Sequence, residues 1–190
     1  MSLAITDQSP ITPLIDGLAP DDRKLRNRRA IADPAILAEQ VEAAWRETED
    51  HAGFRVKRLD LSREALESGR AEIKSRFLRK NDGAEAVLAQ AYLMDSIIRA
   101  IHDAATTKLY RAPNPTQAEQ ICVIAVGGYG RGELAPFSDI DLLFVLPYKQ
   151  TPHVEQVVEA ILYLLWDLRL KVGHSTRSID ECMRQAKADI

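Results

Sequence analysis

The sequence predicts an α/β fold, more narrowly an α+β fold, in which a helical amino-terminal region precedes a small mixed sheet. Apolar residues recur at helical spacing through most of the range 33–110. Two short apolar runs, 121–126 and 139–146, then have the length and the β-branched content of strands. A glycine-rich segment joins these runs, and another helical pattern follows at 151–168. This order of elements predicts a sheet with helices packed against it.

Three helices are predicted ahead of the sheet. The first covers 33–50, because Asp33 followed by a proline is typical of a helix start. The second begins after Ser62 and ends at the turn formed by residues 81–83. The third runs from that turn to near Tyr110, where prolines follow.

The two apolar runs are predicted to be strands. The run 121–126 has no charged residue and is bounded by Gln120 and a glycine, which is typical of a buried strand. In the run 139–146 successive side chains alternate between two faces, so two carboxylates, those of residues 139 and 141, point the same way. A weaker third strand is predicted over 170–179.

These patterns divide the chain into three parts. Residues 1–32 contain prolines without an apolar period and are predicted to form an irregular leader. Residues 33–112 form the helical region, and residues 113–190 form the domain that contains the sheet. Because the last helical pattern stops at Ile190 without a cap, we expect this domain to continue in a longer protein.

The composition argues against several classes of function. The formal net charge is −3 over 190 residues, whereas general nucleic-acid binding needs clustered Lys and Arg, so we expect no nucleic-acid partner. No apolar run reaches about 20 residues, the length of a membrane-spanning helix, so we expect no membrane partner. The two cysteines, Cys122 and Cys182, are too few for a disulfide framework and fit a cytoplasmic location.

The residues that can carry chemistry are concentrated in the segment 126–146. A strand leads into Gly127 and Gly128, which precede a short predicted helix. Glycines let backbone amides approach a phosphate without a Cβ in the way, and a helix start adds positive potential. The sequence therefore predicts a phosphate cradle at Gly127 and Gly128, with an ordinary tight turn as the alternative.

Asp139 and Asp141 predict a metal site next to this cradle. Their side chains begin about 6.6 Å apart on a strand, so both carboxylates can reach one or two cations. Mg²⁺ prefers such oxygen ligands. Beside a triphosphate it would activate the attacking hydroxyl and neutralise the leaving pyrophosphate. The predicted reaction class is nucleotidyl transfer, with Asp139 and Asp141 as catalytic metal ligands.

The same segment resembles the polymerase-β nucleotidyltransferase superfamily, whose pattern joins an apolar residue and two small residues to Asp-x-Asp through a short spacer. Residues 127–128 and 139–141 match this pattern. More narrowly, GGYGRGELxPxSDIDLL is similar to the bifunctional uridylyltransferase/uridylyl-removing enzymes that modify the PII signal-transduction protein. The likeness extends to the helix at 164–168 and to the range 172–178.

The resemblance implies a polymerase-β-like nucleotidyltransferase fold for residues 113–190 and a specific reaction. UTP would bind with its triphosphate on the glycines while the two aspartates hold Mg²⁺. A tyrosine hydroxyl of PII would attack the α-phosphate and release pyrophosphate. In nitrogen signalling, this reaction would attach UMP to PII.

Two further residues of the segment are candidates for binding the nucleotide. Arg131 is predicted either to clamp the triphosphate or to pair with Glu133 on the surface. Ser138 is predicted either to donate its hydroxyl to a phosphate or to cap the turn before Asp139. The residues leave both choices open.

One part of the superfamily pattern is missing. A later strand usually supplies a third carboxylate, but the range 170–179 contains none, and Asp180 and Glu181 are weak candidates. A nucleotide-binding regulatory module without catalysis is therefore an alternative, and the activity of the chain alone stays open. A protein adenylyltransferase with another target is a second alternative, because the glycines and aspartates do not distinguish bases. A dinucleotide-dependent oxidoreductase is disfavoured, since its glycine spacing fails at Glu133.

Overall fold

The computed structural model of the chain describes residues 25–48, 50–112, 116–148 and 150–188. Within these ranges the helices and strands follow in the order α1 (Pro34–Glu47), α2 (His51–Lys80), α3 (Gly83–Ala104), β1 (Cys122–Ala125), α4 (Gly127–Gly130), β2 (Ile140–Leu146), α5 (Pro152–Asp167), β3 (Val172–Ser178) and α6 (Ile179–Ala188). A π-helical turn at Ala105–Leu109 extends α3 to the end predicted for it.

Most of the predicted leader lies outside the described residues, in the range 1–24. Its described end contains a short 3-10 turn, Arg28–Ala30. Leu25 and Ile31 on either side of this turn are buried in the main core. The end of the leader is therefore anchored to the folded part of the chain.

The start of α2 differs from the prediction. Asp50 caps this helix with a side-chain oxygen that accepts a hydrogen bond from the amide of Gly53 at 2.6 Å. Phe54 in the first turn is fully buried. The helix therefore begins at His51 and not after Ser62. The sequence obscured this start because charged side chains interrupt the apolar period over the first turns.

The start of α1 and the turn between α2 and α3 are confirmed, and side chains account for them, whereas α1 ends at Glu47 and not at the predicted residue 50. Asp33 accepts a hydrogen bond from the amide of Ala35 at 3.1 Å, which caps α1. Asn81 ends α2 in the left-handed conformation, with φ 52°. Asp82 then accepts from the amide of Glu85 at 2.9 Å and starts α3.

The sheet is small and mixed, as predicted. Its order is β1-β2-β3, with β1 antiparallel and β3 parallel to the central strand. In the parallel pair, Asp141 lies opposite Gly173. β2 begins at Ile140, so Asp139 immediately precedes the central strand.

The prediction of a buried first strand is wrong. β1 forms an edge of the described sheet. Cys122 is exposed and Ile124 is 41% exposed, whereas Val123 and Ala125 are half-buried. An edge strand with one covered face exposes alternate side chains even when all of them are apolar.

One hydrophobic core joins the helical region to the sheet. Alternate residues of β2 are buried in it, namely Ile140, Leu142, Phe144 and Leu146. The same core contains Leu66 of α2, Ile97 of α3 and Ile161 of α5. Residues on both sides of the boundary predicted at 113 therefore share this core. Among the helices that the structure describes, none combines the length and the apolar character needed to cross a bilayer.

Candidate functional site

The glycine-rich turn lies between β1 and the loop that leads to β2. Gly127 and Gly132 have positive φ angles of 62° and 73°, which glycine adopts without strain. A Cβ on Gly130 would lie 2.6 Å from the carbonyl oxygen of Ala125, too close for any larger residue. The close packing of this turn therefore depends on glycine at several positions.

The amides of this turn are arranged as the start of a helix. The first intrahelical bond of α4 runs from the amide of Gly130 to the carbonyl of Val126 at 2.9 Å. The amides of Gly127, Gly128 and Tyr129 precede it and have no acceptor within the helix. The apolar side chain of Val126 cannot cap them. Such amides are suited to hold an anion, and the phosphate cradle at Gly127 and Gly128 stays a prediction.

Asp141 lies directly between this turn and β3. A Cβ on Gly127 would be 3.0 Å from Asp141 Oδ2, and a Cβ on Gly173 would be 2.5 Å from Asp141 Oδ1. The main chain supports the same arrangement, since the Val126 amide donates to the Asp141 carbonyl at 3.0 Å. The half-buried carboxylate of Asp141 is thus held beside the predicted cradle by two glycines.

Asp139 and Ser138 lie just before β2, on the exposed side of the site. The Ser138 amide donates to the carbonyl of Ala135 at 3.1 Å, so the main chain turns here, while both predicted roles of the Ser138 hydroxyl stay predictions. The next amide, that of Ile140, donates to the Lys171 carbonyl at 2.8 Å and fixes the start of the strand. The strand alternation predicted to direct Asp139 and Asp141 to one side stays a prediction, as do their metal-binding roles and a bond from Ser138 to phosphate.

Arg131 lies at the end of α4 and is two-thirds exposed. Its Nε atom is 3.1 Å from Glu133 Oε2, and this contact is the surface ion pair that the sequence predicts as one of two roles for Arg131. Its Nη1 atom also donates to the carbonyl of Gly127 at 3.0 Å, so the guanidinium stays beside the glycine turn. An exposed pair of this kind contributes about 0–1 kcal/mol. The pair is weak enough for a triphosphate to displace Glu133, and the clamp role stays a prediction.

The third carboxylate is not found on β3. Gly173 occupies the position opposite Asp141. Glu181 accepts hydrogen bonds from the Ser178 amide at 2.7 Å and from the Ser178 hydroxyl at 3.1 Å, and these bonds lower the pKa of Glu181. Glu181 thus serves the start of α6. Within the described ranges, no group of three or more His, Cys, Asp or Glu side chains is placed to hold a metal ion.

Sequence reasoning missed Tyr129, the one residue of α4 that is not glycine. Its ring is 5% exposed, and its hydroxyl donates to Asp95 Oδ1 in α3 at 2.7 Å. Burial, followed by the negative charge of Asp95, raises the pKa of the Tyr129 phenol. The phenol therefore stays protonated at neutral pH and continues to donate. A large side chain flanked by glycines was the signal in the sequence.

Sequence reasoning also missed Gly173 and Phe137. A glycine inside a strand marks a close approach, here that of the Asp141 carboxylate. Phe137 is 83% exposed with a left-handed φ of 69°, and the guanidinium carbon of Arg70 lies 5.9 Å from its ring centre. The loop before the aspartates therefore contacts α2 as well as the sheet.

Known proteins with similar sequences identify the family of this chain. A family model described as glutamate-ammonia ligase adenylyltransferase matches residues 23–170. The chain is 51% identical over 164 residues to a protein of Azospirillum brasilense named bifunctional uridylyltransferase/uridylyl-removing enzyme, covering 86% of this chain and 18% of that protein. Proteins of the same name from Novosphingobium aromaticivorans and Rhodospirillum rubrum are 52% and 49% identical, each over 88% of this chain and 18% of theirs.

The chain spans about a fifth of the length of these curated relatives. No solved structure matches it.

Proposed function

The chain belongs to the glutamate-ammonia ligase adenylyltransferase family, and we propose that it transfers a nucleoside monophosphate from a nucleoside triphosphate to another protein. UTP is the proposed nucleotide, and the name uridylyltransferase carried by the relatives described above supports it. The acceptor is a tyrosine hydroxyl of the PII protein, as the resemblance of the site segment implies. The reaction takes place in the cytoplasm, where nucleoside triphosphates are available.

The observation that carries this proposal is the position of Asp141. Its carboxylate lies within contact distance of the positions that Cβ atoms would take on Gly127 and Gly173. A carboxylate held against a turn of free amides would repel a phosphate unless a cation stood between them. The arrangement therefore supports a site for a triphosphate together with a metal ion, and not for a bare anion.

The donor set fits Mg²⁺. Asp139 and Asp141 offer the hard carboxylate oxygens that Mg²⁺ prefers, and since Asp139 is exposed and Asp141 half-buried, water would have access to complete the coordination of a bound ion. In the proposed site these two aspartates would hold the metal, and the chemistry it would supply is neutralisation of phosphate charge and activation of the acceptor hydroxyl.

The side chains and amides of this chain supply binding and orientation. The amides of Gly127 and Gly128 hold the terminal phosphates, and Arg131 leaves Glu133 to bind the same oxygens. The transferred α-phosphate then lies near Asp139 and Asp141, in line with the acceptor hydroxyl. Positioning and charge stabilisation are the main catalytic contributions that such a site offers.

In the test, the full chain is incubated with Mg²⁺ and PII in four separate reactions, each of which contains one of four α-labelled nucleoside triphosphates. We expect label on PII from UTP. Asp139→Asn or Asp141→Asn should lower transfer by about three orders of magnitude or more, because the metal loses a charged ligand. Asp60→Asn is the matched control, since Asp60 is an exposed acid of α2 that pairs with Arg63 at 2.9 Å.

Each outcome of this experiment supports or refutes one of the proposed functions. Label from ATP would identify an adenylyltransferase, in agreement with the name of the family model. Binding of UTP with Mg²⁺ and no transfer would identify a nucleotide-binding module. Near-normal transfer in either aspartate variant, or transfer that persists after chelation of Mg²⁺, would refute the mechanism.

A further inference from the structure

Within α4, the glycine turn has one side chain that reaches another helix. Three of the four residues of α4 are glycine, and the fourth is Tyr129. Main-chain bonds within the turn, such as Glu133 amide to Gly128 carbonyl at 2.9 Å, close the turn on itself. The Tyr129 side chain instead reaches out of the turn to α3.

The contact with α3 is both apolar and polar. The Tyr129 ring is buried in the core that also contains Met94, Ile97 and Ile98 of α3. Its hydroxyl donates to Asp95 Oδ1 at 2.7 Å, across 34 residues of sequence. A hydrogen bond to a carboxylate is about twice as strong as one between neutral groups, and it fixes the direction of the ring as well as its depth.

The glycine content of the turn gives such an anchor a role in addition to the main-chain bonds. Because glycine populates many backbone conformations, a turn that is mostly glycine does not by itself hold its amides in one direction. A ligand that needs these amides would then have to order the turn on binding, at a cost in conformational entropy for each residue fixed. An anchor that orders the turn beforehand removes part of this cost.

We propose that Tyr129 is a positioning residue, whose hydrogen bond to Asp95 fixes the amides of α4 relative to Asp141 before the nucleotide binds. This inference rests on the proposed function, since it assigns the amides of α4 to the triphosphate. It also makes α3 a functional part of the site. The helical region then supports nucleotide transfer directly and is more than a separate neighbour of the sheet.

Two tyrosine variants of the full chain test this role. Tyr129→Phe keeps the buried ring and removes only the hydroxyl. Tyr92→Phe is the matched control, because Tyr92 lies on α3 and its hydroxyl donates to the Ala32 carbonyl at 3.2 Å, outside the glycine turn. Each variant loses one tyrosine hydroxyl bond that involves α3, so both should lower Tm, and Tyr129→Phe should lower it more because its bond is to a carboxylate.

The readout is the Kd of UTP with Mg²⁺, measured by titration well below the Tm of each variant. We expect Tyr129→Phe to weaken UTP binding about tenfold and Tyr92→Phe to change it by less than about twofold. Asp95→Asn keeps a side-chain carbonyl oxygen as acceptor, so it should retain UTP binding closer to the wild type than Tyr129→Phe does. A merely structural role would lower Tm in both tyrosine variants without separating their Kd values.

The possible failures are distinguishable. If the wild type binds UTP and the two tyrosine variants bind it equally well, the positioning role of Tyr129 is refuted while the proposed function stands. If the wild type binds no nucleoside triphosphate with Mg²⁺, the proposed function itself fails, and the inference fails with it.

Discussion

Replacing Gly173 by alanine should separate the activity of this site from its stability. Gly173 lies opposite Asp141 in the parallel pair of β2 and β3. A Cβ at position 173 would lie 2.5 Å from Asp141 Oδ1. The backbone register is held by the strand hydrogen bonds, so the carboxylate and not the strand must move.

The size of this movement follows from the contact distance. Ordinary contact with a Cβ begins at 3.4 Å, so Oδ1 must move from 2.5 Å to that distance, a displacement of about 0.9 Å. A misplacement of about 1 Å in a catalytic group can lower the rate about 100-fold. The cost in stability should stay below about 1 kcal/mol, because the displaced atom is the end of a side chain.

The assay compares initial rates of label transfer from UTP to PII, with Tm measured on the same samples. Gly83→Ala is the control, since a Cβ there meets nothing within 4 Å. Gly83→Ala should transfer at the wild-type rate and be more stable by about 0.4–1 kcal/mol. Wild-type transfer by Gly173→Ala would refute the argument that the position of Asp141 controls the reaction. A large loss of Tm would show that the strand moves instead.

Three other substitutions have definite expected results. Gly69→Ala should lower the free energy of unfolding by about 1–3 kcal/mol in denaturant titrations, because the new Cβ would lie 2.5 Å from Leu93 Cδ1; unchanged stability would contradict this packing. Arg58 is 3% exposed, its Nε and Nη1 find no hydrogen-bond partner among the described residues, and burial lowers its pKa to about 10. Arg58→Met should therefore raise the free energy of unfolding by about 1–3 kcal/mol at neutral pH. This gain in the free energy of unfolding should shrink as pH rises through about 10, where Arg58 of the folded wild type loses its charge. A variant less stable than the wild type would contradict the argument, because it would mean that the Arg58 charge is stabilised in the folded state. Arg131→Ala should weaken UTP binding about tenfold at unchanged Tm, whereas an unchanged Kd would assign Arg131 to its surface pair with Glu133.

Local sequence patterns were sufficient to predict most of the helices and the segment that contains the candidate site. The caps at Asp33 and Asp82 and the helical period between them act over a few residues, so the corresponding boundaries were predictable. The glycines and the Asp-x-Asp pattern likewise lie within one short segment. Their proximity in sequence was enough to predict that Gly127 and Asp141 would meet.

Long-range contacts were decided only by the tertiary structure. Whether β1 is a central strand or an edge strand depends on which strands pair, and local sequence patterns do not predict strand pairing. The bond between Tyr129 and Asp95 spans 34 residues, and the pairing of Asp141 with Gly173 depends on the register of two parallel strands. Such contacts form when the core closes, since packing fixes the relative positions of elements whose own sequences specify only their local shape.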